Sequence, residues 1–112
     1  MLLIAQIVRN RLTVTTQYRI ELSNEAQDDI VDIGRYTLER HGIQQMDKYL
    51  NSIDEAINLI QENPNIGRFH QELPEEYKVW RMNEHLIIFL IQDEIISIAR
   101  VVHVKLDLKF AL

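Results

Sequence analysis

The residues that could carry out chemistry are concentrated in the C-terminal half of this 112-residue chain. Basic, aromatic and imidazole side chains occur on three successive short runs: Lys78, Trp80, Arg81, His85, Arg100, His103 and Lys105. Cleavage of RNA would require a base for the 2′-hydroxyl, an acid for the leaving oxygen and cations for the phosphate. Arg81, Arg100 and His103 are residue types that such a reaction uses. Glu72 could supply a carboxylate.

The spacing of Arg100 and His103 weakens this interpretation. The two residues are three positions apart, and successive side chains of a regular β-strand alternate between its faces. A β-bulge would be needed to bring both onto one face. The residue types alone therefore favour structural or partner-contact roles over catalysis.

The four histidines do not form a recognisable metal-binding motif. His41, His70, His85 and His103 have no short ligand spacing and fall on different predicted elements. Metal sites usually show paired ligands on one turn or strand. The chain also contains no cysteine, which excludes a thiolate nucleophile and a disulfide framework. We therefore expect no metal and no other cofactor, and interpret the histidines as unrelated to one another.

The carboxylates of the N-terminal half are predicted to be solvated, because most fall off the apolar stripes of two predicted helices. This group comprises Asp28, Asp29, Asp32, Asp47, Asp54 and Glu55. Residues 17–63 contain ten acidic and four basic side chains, whereas residues 64–112 contain seven and six. Much of this surface would repel RNA or DNA, so a broad nucleic-acid-binding surface is not predicted.

The apolar pattern of the first half predicts one strand and two helices. Tyr18–Leu22 alternates apolar and charged residues, which is typical of a half-buried strand, and Ser23 is a good helix N-cap. Gly42 separates two helices that the short connection forces to be antiparallel neighbours. The second helix is expected to end at Asn63-Pro64, because proline disfavours helical backbone at the residue before it.

The second half predicts a mainly antiparallel sheet of three to four strands. Turn residues bound each of its apolar runs, which are 68–73, 77–82, 85–91 and 95–105. The run Leu86–Ile91 has no polar face, which predicts a central strand covered on both sides. The fold class is therefore α+β, with a single domain at residues 17–112. Residues 1–16 are an N-terminal extension that could add a strand or short helix, or remain a loose extension.

The N-terminal segment does not resemble a membrane span or a secretory signal. Leu2–Val8 is apolar but short, and no basic region precedes it. Together with the absence of cysteine, this predicts a soluble, cytoplasmic protein.

The order of these features resembles the ParE toxins, a branch of the RelE/ParE superfamily of bacterial toxin–antitoxin modules. The residues that carry the resemblance are Tyr18-Arg19-Ile20, Ala26, Asp29-Ile30, Ile33, Tyr36, Tyr49-Leu50, Asn63-Pro64, Gly67-Arg68, Glu72-Leu73, His85, Phe89, Ile96, Ile98, Arg100–His103 and Asp107. It extends from Tyr18 to about Phe110 and leaves the first 16 residues outside.

The resemblance implies a toxin that traps DNA gyrase on cleaved DNA and blocks replication. Such a toxin is an inhibitor rather than an enzyme, and a cognate antitoxin protein neutralises it by folding over its surface. The resemblance also suggests the last strand and its tail as a contact surface, and we expect partner contacts at Trp80, Arg81, His103, Lys105 and Asp107. Removing the residues after Val104 is then expected to abolish toxicity and to leave the fold intact.

Two alternatives remain open. The first is a RelE-like, ribosome-dependent mRNA endoribonuclease that would use Arg81, Arg100 and His103. Some relatives in that branch have a His-Tyr pair near the end of the last strand, whereas His103 here is followed by Val104. The second is an inactive relative that only binds an antitoxin.

Overall fold

The structure is a computed structural model, and it describes residues 18–112. The extension predicted at residues 1–16 lies outside the described residues. The regular elements are strand β1 (Arg19–Leu22), helices α1 (Asn24–His41) and α2 (Ile43–Glu62), and strands β2 (Tyr77–Met82), β3 (His85–Gln92) and β4 (Ile95–His103). Two short 3₁₀ helices, Pro64–Ile66 and Leu108–Phe110, complete the fold. The predicted α+β class is confirmed. No helix in the described part of the chain is long and apolar enough to cross a membrane.

The four strands form one mixed sheet in the order β1-β4-β3-β2. β1 runs parallel to β4, and the other two pairings are antiparallel. The prediction of a central strand at Leu86–Ile91 is confirmed, because β3 lies between two strands and its Ile87 and Ile88 are fully buried on opposite faces.

The strand predicted at residues 68–73 is wrong. Only Arg68 joins the sheet, through an isolated bridge in which it exchanges two backbone hydrogen bonds with Val79. The chain then turns, and the Leu73 N–H donates to the His70 carbonyl. The last strand also ends earlier than predicted, at His103 rather than Lys105, because the Leu106 N–H closes a turn on the His103 carbonyl.

Each face of the sheet has its own core. The helical hairpin covers one face, where Ile53 and Ile60 of α2 pack with Phe89 and Ile96. The opposite face is covered by the loop residue Leu73 and by the C-terminal segment through Leu108 and Ala111. The C-terminal segment is therefore part of the folded core.

The helices begin and end where the local sequence predicts. The Ser23 hydroxyl accepts the Ala26 N–H and donates to the Ala99 carbonyl of β4, so the cap also fixes α1 to the sheet. Gly42 has a φ of 87°, a conformation that a residue with a Cβ rarely adopts, and it separates α1 from α2.

The turn after α2 brings Gly67 against the core. A Cβ atom at this position would lie 2.5 Å from Cζ of Phe89 and 2.9 Å from Cβ of Lys78. The φ of Gly67 is −68°, which any residue can adopt. Glycine is therefore required for space, because the fully buried Phe89 ring has little room to move.

We expect Gly67→Ala to lower the free energy of unfolding by about 1–3 kcal/mol, the usual cost of overpacking a core. Gly34→Ala is the matched control. Its added Cβ would make an ordinary contact of 3.4 Å with Leu50, and alanine in a helix interior is about 0.5–1 kcal/mol more favourable than glycine. Urea melts of both variants test this expectation, and equal stability of Gly67→Ala and the wild type would contradict it.

Candidate functional site

A cleft of about 810 Å³ lies between the closed end of the helical hairpin and one end of the sheet. Helices α1 and α2, the β2–β3 turn and the ends of β3 and β4 all contribute to it. Its lining residues are Asp32, Ile33, Tyr36, Thr37, His41, Gln45, Tyr49, Glu84, His85 and His103.

A hydrogen bond between Tyr49 and His85 joins α2 to the sheet inside the cleft. The Tyr49 hydroxyl oxygen lies 2.6 Å from Nδ1 of His85 and also accepts the backbone N–H of Glu84 at 3.3 Å. A hydroxyl has one proton and two acceptor lone pairs, so the Tyr49 hydroxyl and Nδ1 of His85 share one proton between them, with the direction set by the histidine tautomer.

Burial keeps both members of this pair neutral. It lowers the pKa of His85, and the neighbouring His103 lowers it further, while the carboxylates of Glu84 and Asp29 oppose the shift. Burial also raises the pKa of the Tyr49 hydroxyl. At neutral pH the pair therefore brings two uncharged, hydrogen-bonded rings to the cleft.

His103 is the cross-strand neighbour of His85. The residues are paired in register, and their ring centroids are 5.4 Å apart in an edge-to-face arrangement. Nδ1 of His103 accepts the Lys105 N–H at 3.1 Å, and Nε2 lies 4.0 Å from a carboxylate oxygen of Glu84. The expectation that the four histidines are unrelated is therefore wrong for this pair.

The histidine pair does not constitute a metal site. Among residues 18–112, no group of three or more His, Asp or Glu side chains is arranged to hold a metal ion. Because Nδ1 of His103 accepts a backbone N–H, its neutral ring has the proton on Nε2, and that atom has no lone pair for a metal.

The lowered pKa of His85 has a testable consequence for stability. Between its folded-state pKa and about 6.5, the unfolded chain binds a proton more readily than the folded protein does. The stabilising contribution of neutral His85 to the free energy of unfolding is therefore fully present above about pH 6.5. It is lost as the pH drops below that value. We expect the melting temperature of His85→Gln to decrease less than that of the wild type when the pH is lowered from 7.5 to 5.5. His70→Gln, at an exposed turn histidine, should keep the wild-type loss. Equal losses in all three proteins would contradict the expectation.

Arg100 lies outside the cleft and is held by Asp29 of α1. Its Nε and Nη2 donate to the two Asp29 carboxylate oxygens at 2.8 and 2.9 Å, and its Nη1 donates to the Ala111 carbonyl at 2.6 Å. The Asp29 carboxylate also accepts the Val101 N–H at 2.9 Å. The hydrogen bonding of its guanidinium to the Asp29 carboxylate is the main cause that raises the pKa of Arg100. The prediction that Asp29 is simply solvated is wrong, because this pair is largely buried.

Arg100 and His103 do not converge on one site. The register between β3 and β4 shifts so that Ile88 pairs with Arg100 but Phe89 pairs with Ile98, which makes Ala99 the extra residue. This irregularity precedes Arg100 and leaves the backbone between Arg100 and His103 regular. Their side chains therefore start on opposite faces of the sheet.

The residues predicted to contact partners lie on β2, at the end of β4 and in the segment that follows β4. Trp80 on β2 packs against the core under the helices, while Arg81 is exposed and its Nε donates to the Asn83 carbonyl. Beyond His103 at the end of β4, Lys105 is exposed, and Asp107 caps the last 3₁₀ helix by accepting the Lys109 N–H. The partner contacts of these residues stay predictions.

Comparison with known proteins identifies the family. Residues 20–107 match the family model described as the ParE toxin of the type II toxin–antitoxin system, parDE. The chain belongs to the ParE toxin family. It is 31% identical over 90 residues to Toxin ParE1 of Mycobacterium tuberculosis (strain CDC 1551 / Oshkosh), an alignment that covers 80% of this chain and 92% of the relative. It is 27% identical to Toxin ParE1 of Caulobacter vibrioides, over 77% of this chain and 88% of the relative.

Solved structures show the same fold. A chain of the chromosomal ParDE system from P. aeruginosa superimposes with a TM-score of 0.71 at 16% identity, covering 80% of this chain and 99% of that one. A chain of the M. tuberculosis RelBE2 toxin–antitoxin complex gives a TM-score of 0.60 at 16% identity, and the superposition covers 78% of this chain and 98% of that one. The predicted RelE/ParE-like fold is confirmed, and the protein is the toxin component of a type II toxin–antitoxin system.

Proposed function

We propose that this toxin inhibits DNA gyrase, thereby blocking replication in the cytoplasm, and that a cognate antitoxin protein neutralises it. The observation that carries this proposal is the match to the ParE toxin family across residues 20–107. Solved toxin–antitoxin complexes among the structural neighbours support an antitoxin as the second partner.

The electrostatics of the cleft favour this function over RNA cleavage. Within the described part of the chain, the cleft lining contains the carboxylates of Asp32 and Glu84 but no lysine or arginine. Phosphodiester chemistry needs cations on the developing charge, and no lysine or arginine among the described lining residues supplies one. Arg100, the cation that the sequence suggested for RNA cleavage, forms an ion pair with Asp29 instead.

The histidine pair is the one observation that favours the ribonuclease alternative. His85 and His103 are adjacent imidazoles that open onto a cleft, and two such rings could act as base and acid. This second candidate differs from the sequence-based one, because it would use His85 and Tyr49 in place of Arg100.

The exposed face of the C-terminal tail is the surface that we propose contacts gyrase. Leu108 and Ala111 point into the core, whereas Phe110 and Leu112 are 75% and 55% exposed. Isolated exposed apolar residues are common, but a tail anchored on one side and apolar on the other is suited to a protein contact. Trp80, Arg81, His103, Lys105 and Asp107 stay proposed partner contacts, for the antitoxin or for gyrase.

Controlled expression in bacteria tests the proposal. The wild type should arrest growth, with cleaved DNA accumulating and messenger RNA intact. Phe110→Ser should lose most of this toxicity, while Phe69→Ser, at a phenylalanine exposed elsewhere, should keep it. Cleaved message with undamaged DNA would instead support the ribonuclease. Normal growth on wild-type expression, with neither product, would support the inactive antitoxin-binding module.

A further inference from the structure

The cleft around Tyr49 has two carboxylates at its rim that have no strong partner among residues 18–112. Asp32 lies 3.6 Å from the Arg35 guanidinium and Glu84 lies 4.0 Å from the His103 ring, and all four side chains are well exposed. Ion pairs of this length in water contribute little. Both carboxylates can therefore accept hydrogen bonds from an incoming group without losing a strong interaction.

The walls of the cleft are ring systems on a fixed frame. Tyr49, His85 and His103 are held by the hydrogen bonds and edge-to-face contacts described above. Tyr36 of α1 also lines the cleft, and the guanidinium carbon of Arg40 lies 4.9 Å from its ring centroid. This contact joins residues four apart on α1 and shows that a guanidinium is accommodated against a ring of the cleft, a contact that favours Arg over other cations.

These features together select a planar cation on an aliphatic stem. The nearly buried Ile33 provides an apolar floor for methylene groups, the rings provide stacking surfaces, and the rim carboxylates accept donors from a guanidinium. The surface around the cleft is also negatively charged, because residues 17–63 contain ten acidic and four basic side chains. An anionic ligand would meet repulsion from the two rim carboxylates, and the neighbouring cations Arg35 and Arg40 already lie against Asp32 and Tyr36.

We propose that this cleft receives an arginine side chain of a partner polypeptide, namely the cognate antitoxin. The inference rests on the proposed neutralisation by an antitoxin and adds the chemistry by which that partner is recognised. The neutral state of His85 supports it, since an uncharged imidazole does not repel a cation at neutral pH. Nothing in this binding step involves gyrase, so the two proposals can fail separately.

Titration of the purified full chain with N-acetyl-arginine amide tests the inference. Binding is followed by the NMR signals of the His85 and His103 ring protons, which lie in the cleft. N-acetyl-citrulline amide is the matched ligand, because it keeps the shape of arginine but carries no charge. We expect it to bind at least about tenfold more weakly, the loss that accompanies removal of one charge-assisted contact.

Variants of the rim then locate the site. Asp32→Asn and Glu84→Gln should each weaken arginine amide binding several-fold, and the double variant should abolish it. Glu55→Gln, at an exposed carboxylate of α2 outside the cleft lining, should leave the affinity unchanged. Equal binding of the citrulline ligand, tighter binding of inorganic phosphate, or wild-type affinity in the double variant would each overturn the inference. Inhibition of gyrase by the double variant, measured without antitoxin, reports separately on the proposed function, and we expect it to be retained.

Discussion

Removal of residues 105–112 is expected to destabilise the toxin by at least about 3 kcal/mol, because a buried leucine alone contributes about 2–5 kcal/mol. The deleted segment contains Leu108 and Ala111, which cover one face of the sheet and are almost completely buried. Its loss also removes the Ala111 carbonyl that accepts a hydrogen bond from Arg100. This corrects the expectation that a truncation after Val104 leaves the fold intact.

Urea unfolding followed by circular dichroism measures this effect. Phe110→Ser is the matched control, because its side chain is exposed and substitutions of this kind usually change stability by less than about 0.5 kcal/mol. A truncated chain with the wild-type midpoint and cooperativity would contradict the prediction. The point variant is also the better probe of toxicity, since it changes the exposed face of the tail and keeps its anchors.

Replacement of Asp29 by alanine is expected to cost about 3–5 kcal/mol, the usual penalty for removing one partner of a buried ion pair. The pair is well shielded, with 14% of the Asp29 side chain and 25% of the Arg100 side chain exposed. Among the residues that the structure describes, the substitution leaves the guanidinium with the Ala111 carbonyl as its one hydrogen-bond acceptor. It also leaves the Val101 N–H without its acceptor at the edge of β4.

A double-mutant cycle separates the ion pair from the rest of this effect. Asp29→Ala, Arg100→Met and the double variant should give a coupling energy of at least about 1 kcal/mol, as residues in one buried network usually do. Asp28→Ala is the control, because this neighbouring carboxylate is exposed and should contribute little. Additive effects, or equal stability of Asp28→Ala and Asp29→Ala, would show that the pair does not hold α1 to β4.

Most of the fold could be predicted from sequence because its determinants are local. The Ser23 cap, the Gly42 separator and the proline after α2 mark the helices by chemistry that acts within a few residues. The uninterrupted apolar run of β3 likewise indicates burial on both faces. The strand predicted at residues 68–73 failed because pairing partners, rather than composition, decide whether an extended segment joins a sheet.

The site could not be predicted because its contacts are long-range. If β3 and β4 paired without a bulge from Gln92–Ile95 onward, His85 would lie opposite Val102. The extra residue at Ala99 shifts the pairing by one position, so that His85 lies opposite His103. Likewise, Asp29 lies three residues after Ala26 and four before Ile33, at the margin of the apolar stripe of α1, but this spacing does not show that Arg100 reaches it around the edge of β4. Tyr49 lies on the core side of α2, and its spacing alone does not reveal that its hydroxyl meets a histidine.

The most direct test of the proposed function is a supercoiling assay with purified gyrase and the purified full chain. We expect inhibited supercoiling with accumulation of cleaved DNA, loss of the effect in Phe110→Ser, and intact messenger RNA in a parallel reaction with ribosomes. Unaffected gyrase together with cleaved, ribosome-bound message would contradict this expectation.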